Sequence, residues 1–250
     1  MFQLEISNID SFRNLVKSLS VIVDEGGFIL EEDRIKLLAM DPSHVAMVDF
    51  ELPKESFDKY ECDGEKKLSI NIRELLKFLD RIEKDEYVKI RLDEEKMRLA
   101  IECSRVGHAR QFMMPLLEPG DGEVPSPKIF FKAKARILTR GLRHAIRDSV
   151  LVSEHAKFEF TSEDLKISAE GEVGSAMSKW DKSAEDLLEL RAEEKAGATF
   201  TLSYLQEIVN AASVSSEVAS IELSSDMPIK LDFELPQGKL VYYLAPCIGV

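Results

Sequence analysis

Cysteine and long apolar runs are scarce in this sequence of 250 residues, and each shortage excludes a class of protein. The three cysteines, Cys62, Cys103 and Cys247, are odd in number and scattered, which leaves neither a disulfide framework nor a paired Cys-x-x-Cys metal site. No apolar run approaches the roughly 20 residues of a membrane span, and the N-terminus lacks the basic and then apolar order of a signal peptide. We therefore expect a soluble, intracellular protein whose cysteines are reduced and mostly structural.

Positive charge is also in short supply, since 33 lysines and arginines face 46 aspartates and glutamates and the net charge is -13. Taken alone, this balance disfavours nucleic-acid binding, which depends on Lys and Arg. The distribution of the basic residues matters more, and many of them are concentrated on three predicted helices. These residues are Arg13 and Lys17 on the first helix, Arg73, Lys77 and Arg81 on the second, and Arg136, Arg140, Arg143 and Arg147 on the third.

A solvated face is the usual explanation for one charged helix stripe, but three basic stripes in an acidic chain favour a surface that faces phosphates. The four arginines of the third helix recur at i, i+4, i+7 and i+11, which places them on one face. The fourth predicted helix departs from this pattern, because it carries Glu207 and no Lys or Arg. No zinc knuckle, helix-turn-helix or interleaved aromatic pattern is present, so we expect sequence-independent, salt-sensitive contact with a duplex.

Apolar periodicity predicts an α+β chain that is rich in strands and contains an internal repeat. The predicted helices cover Phe12–Val23, Ile72–Ile82, Ala135–Val150 and Tyr204–Ala212. The predicted strands lie at Phe2–Ile6, Phe28–Leu30, Ile35–Met40, Val45–Leu52, Tyr60–Asp63, Tyr87–Leu92, Met97–Glu102 and Ala109–Met114, and then at Ile129–Ala133, Phe158–Phe160, Leu165–Ala169, Ala176–Trp180, Leu187–Ala192, Val218–Leu223, Ile229–Leu235 and Leu240–Leu244. At an offset of about 130 residues, Phe28 corresponds to Phe158 and Leu75 to Leu205, which predicts two copies of one α+β domain.

A segment rich in proline and glycine separates the two copies. It includes Pro119, Gly120, Gly122, Pro125 and Pro127, and such residues interrupt regular structure. We predict an N-terminal domain at 1–115, a connector at 116–128 and a C-terminal domain at 129–250. The apolar residues of the connector favour a segment that lies on the protein surface, and a plain solvated linker is the alternative.

The stretch Leu37–Pro53 is nearly uncharged within a highly charged chain. Two β-rich runs, Arg34–Met40 and Val45–Leu52, flank the sequence Asp41-Pro42-Ser43-His44, which has turn chemistry. A loop between two strands follows, and it would present Met40, His44 and Val45 near the surface.

An enzyme and a protein scaffold that never meets DNA are the competing classes. Asp41, Ser43 and His44 match a catalytic triad in residue type only, since residues so close in sequence cannot align a nucleophile, a base and an orienting acid. The histidines lack metal-ligand spacing, and Gly120-Asp121-Gly122 lacks the Lys-Ser/Thr and helix start of a phosphate loop. We expect no catalytic activity, no metal and no cofactor.

Several motifs together resemble one known family. They are Met40-Asp41-x-Ser43-His44-Val45, the connector, Asp226-Met227-Pro228 and Tyr242-Tyr243-Leu244-Ala245-Pro246. With the repeat and the basic helices, they make the chain similar to DNA sliding clamps of the archaeal and eukaryotic proliferating cell nuclear antigen family. The resemblance implies an α+β chain of two repeated clamp domains. Three such chains would close into a ring of six domains, with helices lining the hole and antiparallel sheets outside. The basic residues named above would then face duplex DNA.

The resemblance also implies a site for client peptides of the pattern Gln-x-x-aliphatic-x-x-aromatic-aromatic. Its residues would be Met40, His44, Val45, Met47, Leu116, Leu117, Pro228, Tyr243, Ala245 and Pro246. Such a site is an apolar pocket that accepts aromatic anchors. Two departures from the family, Cys247 in a usually basic position and a chain that stops at Val250 without an acidic tail, are expected to alter client preference.

Subunit pairing is implied at one edge strand from each half. The expected contact residues are Gly107, His108, Arg110 and Phe112, and Gly174, Ala176, Ser178 and Trp180. An ordinary core strand is the alternative for Phe112 and Trp180. The implied partners are non-specific double-stranded DNA, a clamp loader, DNA polymerase, flap endonuclease, ligase and sister subunits in a homotrimer or heterotrimer, in the cytoplasm or nucleoid of an archaeon or in a eukaryotic nucleus.

Overall fold

A computed structural model describes residues 1–118, 124–125 and 127–248 of the chain. The chain forms two compact units. The first contains Met1–Met40, Val48–Pro125 and Pro236–Lys239, and the second contains Asp41–Met47, Ser126–Leu235 and Leu240–Val250. Pro119, Gly120 and Gly122 of the predicted connector lie outside the described residues, as does Val250, and the predicted domain boundaries stay a prediction.

The N-terminal half is built mainly of antiparallel strands with two α-helices. Its elements are β1 (Phe2–Ile6), α1 (Ile9–Ser20), β2 (Glu25–Leu30), β3 (Arg34–Met40), β4 (Ala46–Pro53), β5 (Lys59–Cys62), β6 (Lys66–Asn71), α2 (Ile72–Leu79), β7 (Tyr87–Asp93), β8 (Arg98–Arg105) and β9 (His108–Pro115). The strands run in the spatial orders β5-β1-β7-β8-β9 and β4-β3-β2-β6.

The C-terminal half has the same succession of elements. They are β10 (Ala133–Leu138), α3 (Thr139–Val150), β11 (His155–Phe160), β12 (Asp164–Gly171), β13 (Gly174–Asp181), β14 (Leu187–Ala192), β15 (Ala196–Thr201), α4 (Leu202–Ala212), β16 (Val218–Leu223), β17 (Ile229–Phe233) and β18 (Lys239–Leu244). Their spatial orders are β14-β10-β16-β17-β18 and β13-β12-β11-β15.

The internal repeat predicted from apolar positions is therefore confirmed in the topology. Each strand order of the first half has its counterpart in the second, with the same connections. The start of α1 at Ile9 corresponds to the start of α3 at Thr139, and β2 and β6 correspond to β11 and β15 at the same spacing. The α+β class with two copies of one domain is confirmed.

Helices α1 and α2 each begin at an asparagine whose side chain caps the first turn. The Asn8 side-chain oxygen accepts a hydrogen bond from the Ser11 N–H at 3.3 Å, and Asn71 accepts one from the Glu74 N–H at 2.9 Å. Leu19 of α1 is fully buried, as the helical spacing of the apolar residues requires. The helices thus pack one face on the sheets and leave the opposite face exposed.

Several predicted boundaries were wrong for physical reasons. Residues 133–138 form β10, because buried and half-buried residues alternate with a period of two, and α3 begins only at Thr139. Arg136 is thus a strand residue and not the first of four arginines on a helix. Helix α2 ends at Leu79, so Arg81 lies just beyond it. Strands β6 and β15 were missed, because each runs directly into the helix that follows it.

Candidate functional sites

Four of the predicted DNA-facing residues have exposed side chains with no ion-pair partner in residues 1–118, 124–125 and 127–248. These residues are Lys17, Arg81, Arg143 and Arg147. Arg143 makes one hydrogen bond, from its Nε to the Asn210 side-chain oxygen at 2.9 Å. Lys17 and Arg147 occupy equivalent positions in the two repeats, on α1 and α3. Positive charge without a local partner is available to a polyanion at both helices.

Three further basic residues are exposed but have an acidic neighbour. Arg73 pairs with Asp24 at 2.6 Å, Lys77 with Glu74 at 2.6 Å, and Arg140 with Asp186 at 2.8 Å. Exposed pairs of this kind contribute little to stability, so a phosphate can replace the carboxylate at little cost.

The Arg13 side chain bonds to other residues of its own unit. Its guanidinium donates to the Leu79 carbonyl at 2.8 Å and the Ile82 carbonyl at 2.7 Å, and pairs with Asp10 at 2.6 Å. The carbonyls at the end of a helix lack intrahelical partners and carry partial negative charge, so a cation there stabilises the helix end. Arg13 therefore anchors α1 to the end of α2, and its predicted contact with DNA has weaker support.

Arg136 is also committed to a local partner. Its Nε and Nη2 both donate to the Glu234 carboxylate, at 2.7 and 3.0 Å. This two-point pair holds β10 beside the segment that follows β17, and it raises the pKa of Arg136 through the hydrogen bond to Glu234.

The predicted client-binding loop is the segment Asp41–Met47, which belongs to the second unit and is called the 41–47 loop below. His44 is exposed with a φ of 57°, a left-handed conformation that only a specific turn imposes on a residue with a side chain. Val45 is half-buried, and Met47 is buried with 5% of its surface exposed. The loop thus presents His44 and Val45, while Met47 supports it from within.

Asp41 holds this loop through its buried carboxylate. Oδ1 accepts the N–H groups of Val45 at 2.7 Å and Ala46 at 2.6 Å, and Oδ2 accepts the Ser43 N–H at 3.1 Å and the Tyr204 hydroxyl at 2.9 Å. Burial alone would raise the pKa of Asp41, but the hydrogen bonds from Ala46, Tyr204, Val45 and Ser43 outweigh it and lower the pKa.

The C-terminal segment lies against the 41–47 loop. The Ala245 N–H donates to the Val45 carbonyl at 2.8 Å, which joins the two segments directly. Pro228, Tyr243, Ala245 and Pro246 are all half-buried, so each keeps some surface free. Within the second unit, the structure thus brings Val45 and Ala245 into contact, and their role in client binding stays a prediction.

The other predicted client-site residues belong to the first unit. Met40 ends β3 and is half-buried. The Leu116 N–H donates to the Met97 carbonyl at 3.0 Å, and the Leu117 N–H donates to the Ser69 carbonyl at 2.8 Å. The start of the connector therefore lies on the surface of its unit and is not a free linker. The client-binding role of these three residues stays a prediction.

Both predicted subunit strands lie at a sheet edge. Of the strands described above, β9 pairs only with β8, and β13 pairs only with β12, so each is the outermost strand in its spatial order. Gly107, with a φ of 75°, and His108 open β9, while Gly174, Ala176 and Ser178 lie along β13. An unpaired edge of this kind is a template for another strand.

A buried charge supports the β9 edge. The Glu86 side chain is 1% exposed and pairs with Arg110, whose Nη2 also donates to the Arg81 carbonyl at 3.0 Å. Arg110 lies over the ring of half-buried Phe112, and Phe112 contacts Phe78 with ring centroids 5.4 Å apart. Arg110 and Phe112 are therefore held in fixed positions at this edge.

Trp180 fits the alternative of a core residue better than that of an edge contact. Only 9% of its surface is exposed, and its indole lies beside α3 at Gly141, where a Cβ would be 3.6 Å from the Trp180 Nε1. Its place in a subunit contact stays a prediction.

Sequence reasoning missed two functional candidates, Tyr204 and Glu86. Tyr204 opens the predicted helix that lacks Lys and Arg, and Glu86 follows three other charged residues, Glu83, Lys84 and Asp85. No local signal identifies Tyr204, because the start of the helix also carries the polar residues Ser203 and Gln206 and the partner of the Tyr204 hydroxyl lies 163 residues away.

No helix within residues 1–118, 124–125 and 127–248 is long and apolar enough to cross a membrane. Over the same part of the chain, no group of three or more His, Cys, Asp and Glu residues could hold a metal ion.

The repeated domain, the exposed cations on its helices and the two free edges define a protein of the clamp-fold class. Two family descriptions match: "Proliferating cell nuclear antigen, N-terminal domain" over residues 1–117 and "Proliferating cell nuclear antigen, C-terminal domain" over residues 127–248. The chain belongs to the proliferating cell nuclear antigen family.

Relatives in archaea agree with this membership. The chain is 34% identical over 236 residues to DNA polymerase sliding clamp 1 of Pyrobaculum aerophilum, a match that covers 94% of both chains. It is 32% identical over 247 residues to the DNA polymerase sliding clamp of Pyrococcus abyssi, with 98% of both chains covered. The crystal structure of the proliferating cell nuclear antigen of Thermococcus kodakaraensis matches with a TM-score of 0.91 and 25% identity, over 99% of this chain and 100% of that one.

Proposed function

We propose that this chain is a DNA sliding clamp, a processivity factor that tethers DNA polymerase to its template and catalyses no reaction itself. Family membership over both repeats is the observation that carries the proposal. The family consists of sliding clamps that work with DNA and polymerase. We infer that the chain acts inside the cell, where its template is found.

The main DNA-facing residues that we propose are Lys17 in the first unit and Arg143 and Arg147 in the second. Arg73, Lys77, Arg81 and Arg140 add exposed charge within their own units, whereas Arg13 and Arg136 chiefly hold their own units together. Lys and Arg that touch only phosphates give attachment without sequence readout. Such contacts are exchanged easily along the duplex, which suits sliding.

The client site that we propose includes His44 and Val45 of the 41–47 loop and Pro228, Tyr243, Ala245 and Pro246 from the C-terminal half. Met47 supports the site from within, and a role in client binding for Met40, Leu116 and Leu117 of the first unit is a separate proposal. The exposed corner at His44 and the half-buried apolar residues suit a peptide with aromatic anchors. DNA polymerase, flap endonuclease and ligase are the proposed clients, and a clamp loader is the further partner.

We propose that three chains close into a ring through β9 and β13, as a homotrimer or with related chains. Among the described residues, β9 and β13 are each unpaired along one side, which favours this mode of closure. Gly107, His108, Arg110, Phe112, Gly174, Ala176 and Ser178 would lie at the contact, and Trp180 would support it from the core.

Primer extension on singly primed circular DNA tests the proposed function. With a clamp loader and an archaeal DNA polymerase, the wild-type chain should lengthen the products made in a single binding event. The double variant Arg143→Glu, Arg147→Glu should lose this stimulation and still bind a client peptide. Full stimulation by this variant would favour a protein scaffold that does not need DNA contact.

A further inference from the structure

The conformation of the 41–47 loop depends on one carboxylate. Asp41 has 4% of its surface exposed, and its two oxygens accept four hydrogen bonds. A carboxylate offers about four acceptor positions, so this one is fully used. Three of the donors are backbone N–H groups of the loop itself. The fourth is the Tyr204 hydroxyl, which comes from a different element.

Tyr204 lies in the first turn of α4, and its side chain is half-buried. Its hydroxyl donates to Asp41 Oδ2 at 2.9 Å, across 163 residues of sequence. Burial and the hydrogen bond to Asp41 both raise the pKa of Tyr204, so the hydroxyl keeps its proton and remains a donor at neutral pH.

The same region also holds the other side of the client site. The Cys247 N–H donates to the Thr199 carbonyl at 2.8 Å, and the Cys247 Sγ lies 3.3 Å from the Thr201 hydroxyl. Thr199 and Thr201 end β15, and α4 begins at Leu202. The loop and the C-terminal segment are therefore each fastened to the β15–α4 junction, and the bond between Ala245 and Val45 joins them to each other.

Resting on the client site proposed above, we infer that Tyr204 is a positioning residue for client binding, and that its hydroxyl holds the 41–47 loop in the conformation that accepts the peptide. Tyr204 does not itself touch the peptide. Without its hydroxyl, Asp41 loses the donor that comes from outside the loop and keeps only the loop's own N–H groups. The bonds between Asp41 and the N–H groups of Val45 and Ala46 then open more often, and the loop spends part of its time in other conformations.

A loop that is correctly placed for only part of the time binds its ligand more weakly in proportion to that fraction. Tyr204→Phe removes one oxygen atom and keeps the ring, so we expect the fold to survive. The expected result is a client-peptide Kd about three- to tenfold higher than that of the wild-type chain.

The experiment measures two quantities on the full-length chain. Calorimetry gives the Kd for a synthetic peptide Gln-x-x-Leu-x-x-Phe-Phe, and amide hydrogen exchange gives the protection of Val45 and Ala46. Tyr87→Phe is the matched control, because the Tyr87 hydroxyl also donates to a carboxylate, that of Glu5 in the first unit. We expect Tyr204→Phe to raise the Kd and to raise amide exchange at Val45 and Ala46, while exchange in β16 and β17 stays unchanged. Tyr87→Phe should change neither the Kd nor the exchange.

A double-mutant cycle makes the test specific for the Asp41 contact. In an Asp41→Ala background, Tyr204→Phe should change the Kd by less than about twofold, because the acceptor is already gone. If Asp41→Ala does not fold, the single variant and its exchange pattern still decide the question.

Equal Kd for wild type and Tyr204→Phe, whether or not loop exchange rises, would overturn the positioning role while the client site stands. A general rise in exchange throughout the second unit would also overturn it, since Tyr204 would then be a stability residue. Failure of the wild-type chain to bind the peptide would overturn the client site itself, and the inference with it.

Discussion

Arg13 and Arg143 occupy equivalent positions in the two repeats, and the structure predicts that they do different work. Arg13 binds carbonyls of its own unit, whereas Arg143 is exposed and makes a single hydrogen bond to Asn210. We therefore predict that Arg13→Ala lowers stability, while Arg143→Ala weakens association with DNA. The contrast separates a structural cation from a functional one in the same fold position.

The magnitudes follow from the contacts. The Arg13 side chain is 20% exposed and gives charge-assisted hydrogen bonds to the Leu79 and Ile82 carbonyls at 2.8 and 2.7 Å. Such bonds contribute about 1.5–3 kcal/mol each, and after allowance for their partial exposure we expect Arg13→Ala to cost about 2–4 kcal/mol. Arg143→Ala loses one exposed hydrogen bond, and its cost should stay near or below about 0.5 kcal/mol.

Urea unfolding of each full-length variant measures the first effect as a lower midpoint at unchanged slope. The salt dependence of DNA association measures the second. Arg143→Ala should reduce the slope of log K against log salt by about 1 for each subunit that touches the duplex. Lys17 is exposed and has no ion-pair partner in the described part of the chain, so Lys17→Ala serves as a control that should behave like Arg143→Ala in both assays.

A wild-type urea midpoint for Arg13→Ala together with a reduced salt slope would refute this reasoning. Arg13 would then contact DNA directly, and its bonds to the end of α2 would contribute nothing measurable.

Three further predictions concern the second unit. Gly171→Ala should be strongly destabilising in urea unfolding, because its Cβ would lie 1.9 Å from the Val152 carbonyl oxygen, and a wild-type midpoint would contradict this close contact. Phe158→Ala should cost about 3–5 kcal/mol, since the ring is fully buried and packs edge-to-face on Phe200, and a loss below about 1 kcal/mol would be inconsistent with that packing. The Asp41 carboxyl should titrate below its ordinary pKa of 3.8 when followed by NMR. Because the pKa is lower in the folded chain, this carboxylate stabilises the fold above about pH 4, and the stabilisation is lost as the pH falls through the folded pKa. A titration midpoint at or above 3.8 would count against the hydrogen-bonded loop.

The repeat and most of the strands could be predicted from the sequence, because both depend on the local order of apolar residues. Strand β1 at Phe2–Ile6 and strand β16 at Val218–Leu223 have the predicted bounds. The error at Arg136 has a definite cause: basic residues at helical spacing continued upstream into a strand, and charge spacing cannot show where a helix begins. The alternation of Ala133, Ala135 and Ile137 was the better guide.

Partnerships between distant residues could not be predicted from the sequence. Arg13 and Lys17 are both basic and lie one turn apart, yet only the folded chain brings the end of α2 to Arg13. The bond between Tyr204 and Asp41 likewise spans 163 residues and leaves no local pattern. Periodicity identifies which face of an element is buried, whereas the partner of a polar group depends on tertiary structure.

Retention on closed DNA tests the central claim, a ring around the duplex, most directly. The wild-type chain is loaded with a clamp loader on nicked circular DNA, washed in high salt to screen direct phosphate contacts, and the DNA is then cut once with a restriction enzyme. The account predicts that the protein stays on the circle through the wash and is released when the circle is opened. Equal retention on circular and linear DNA, or loss from both in high salt, would contradict it.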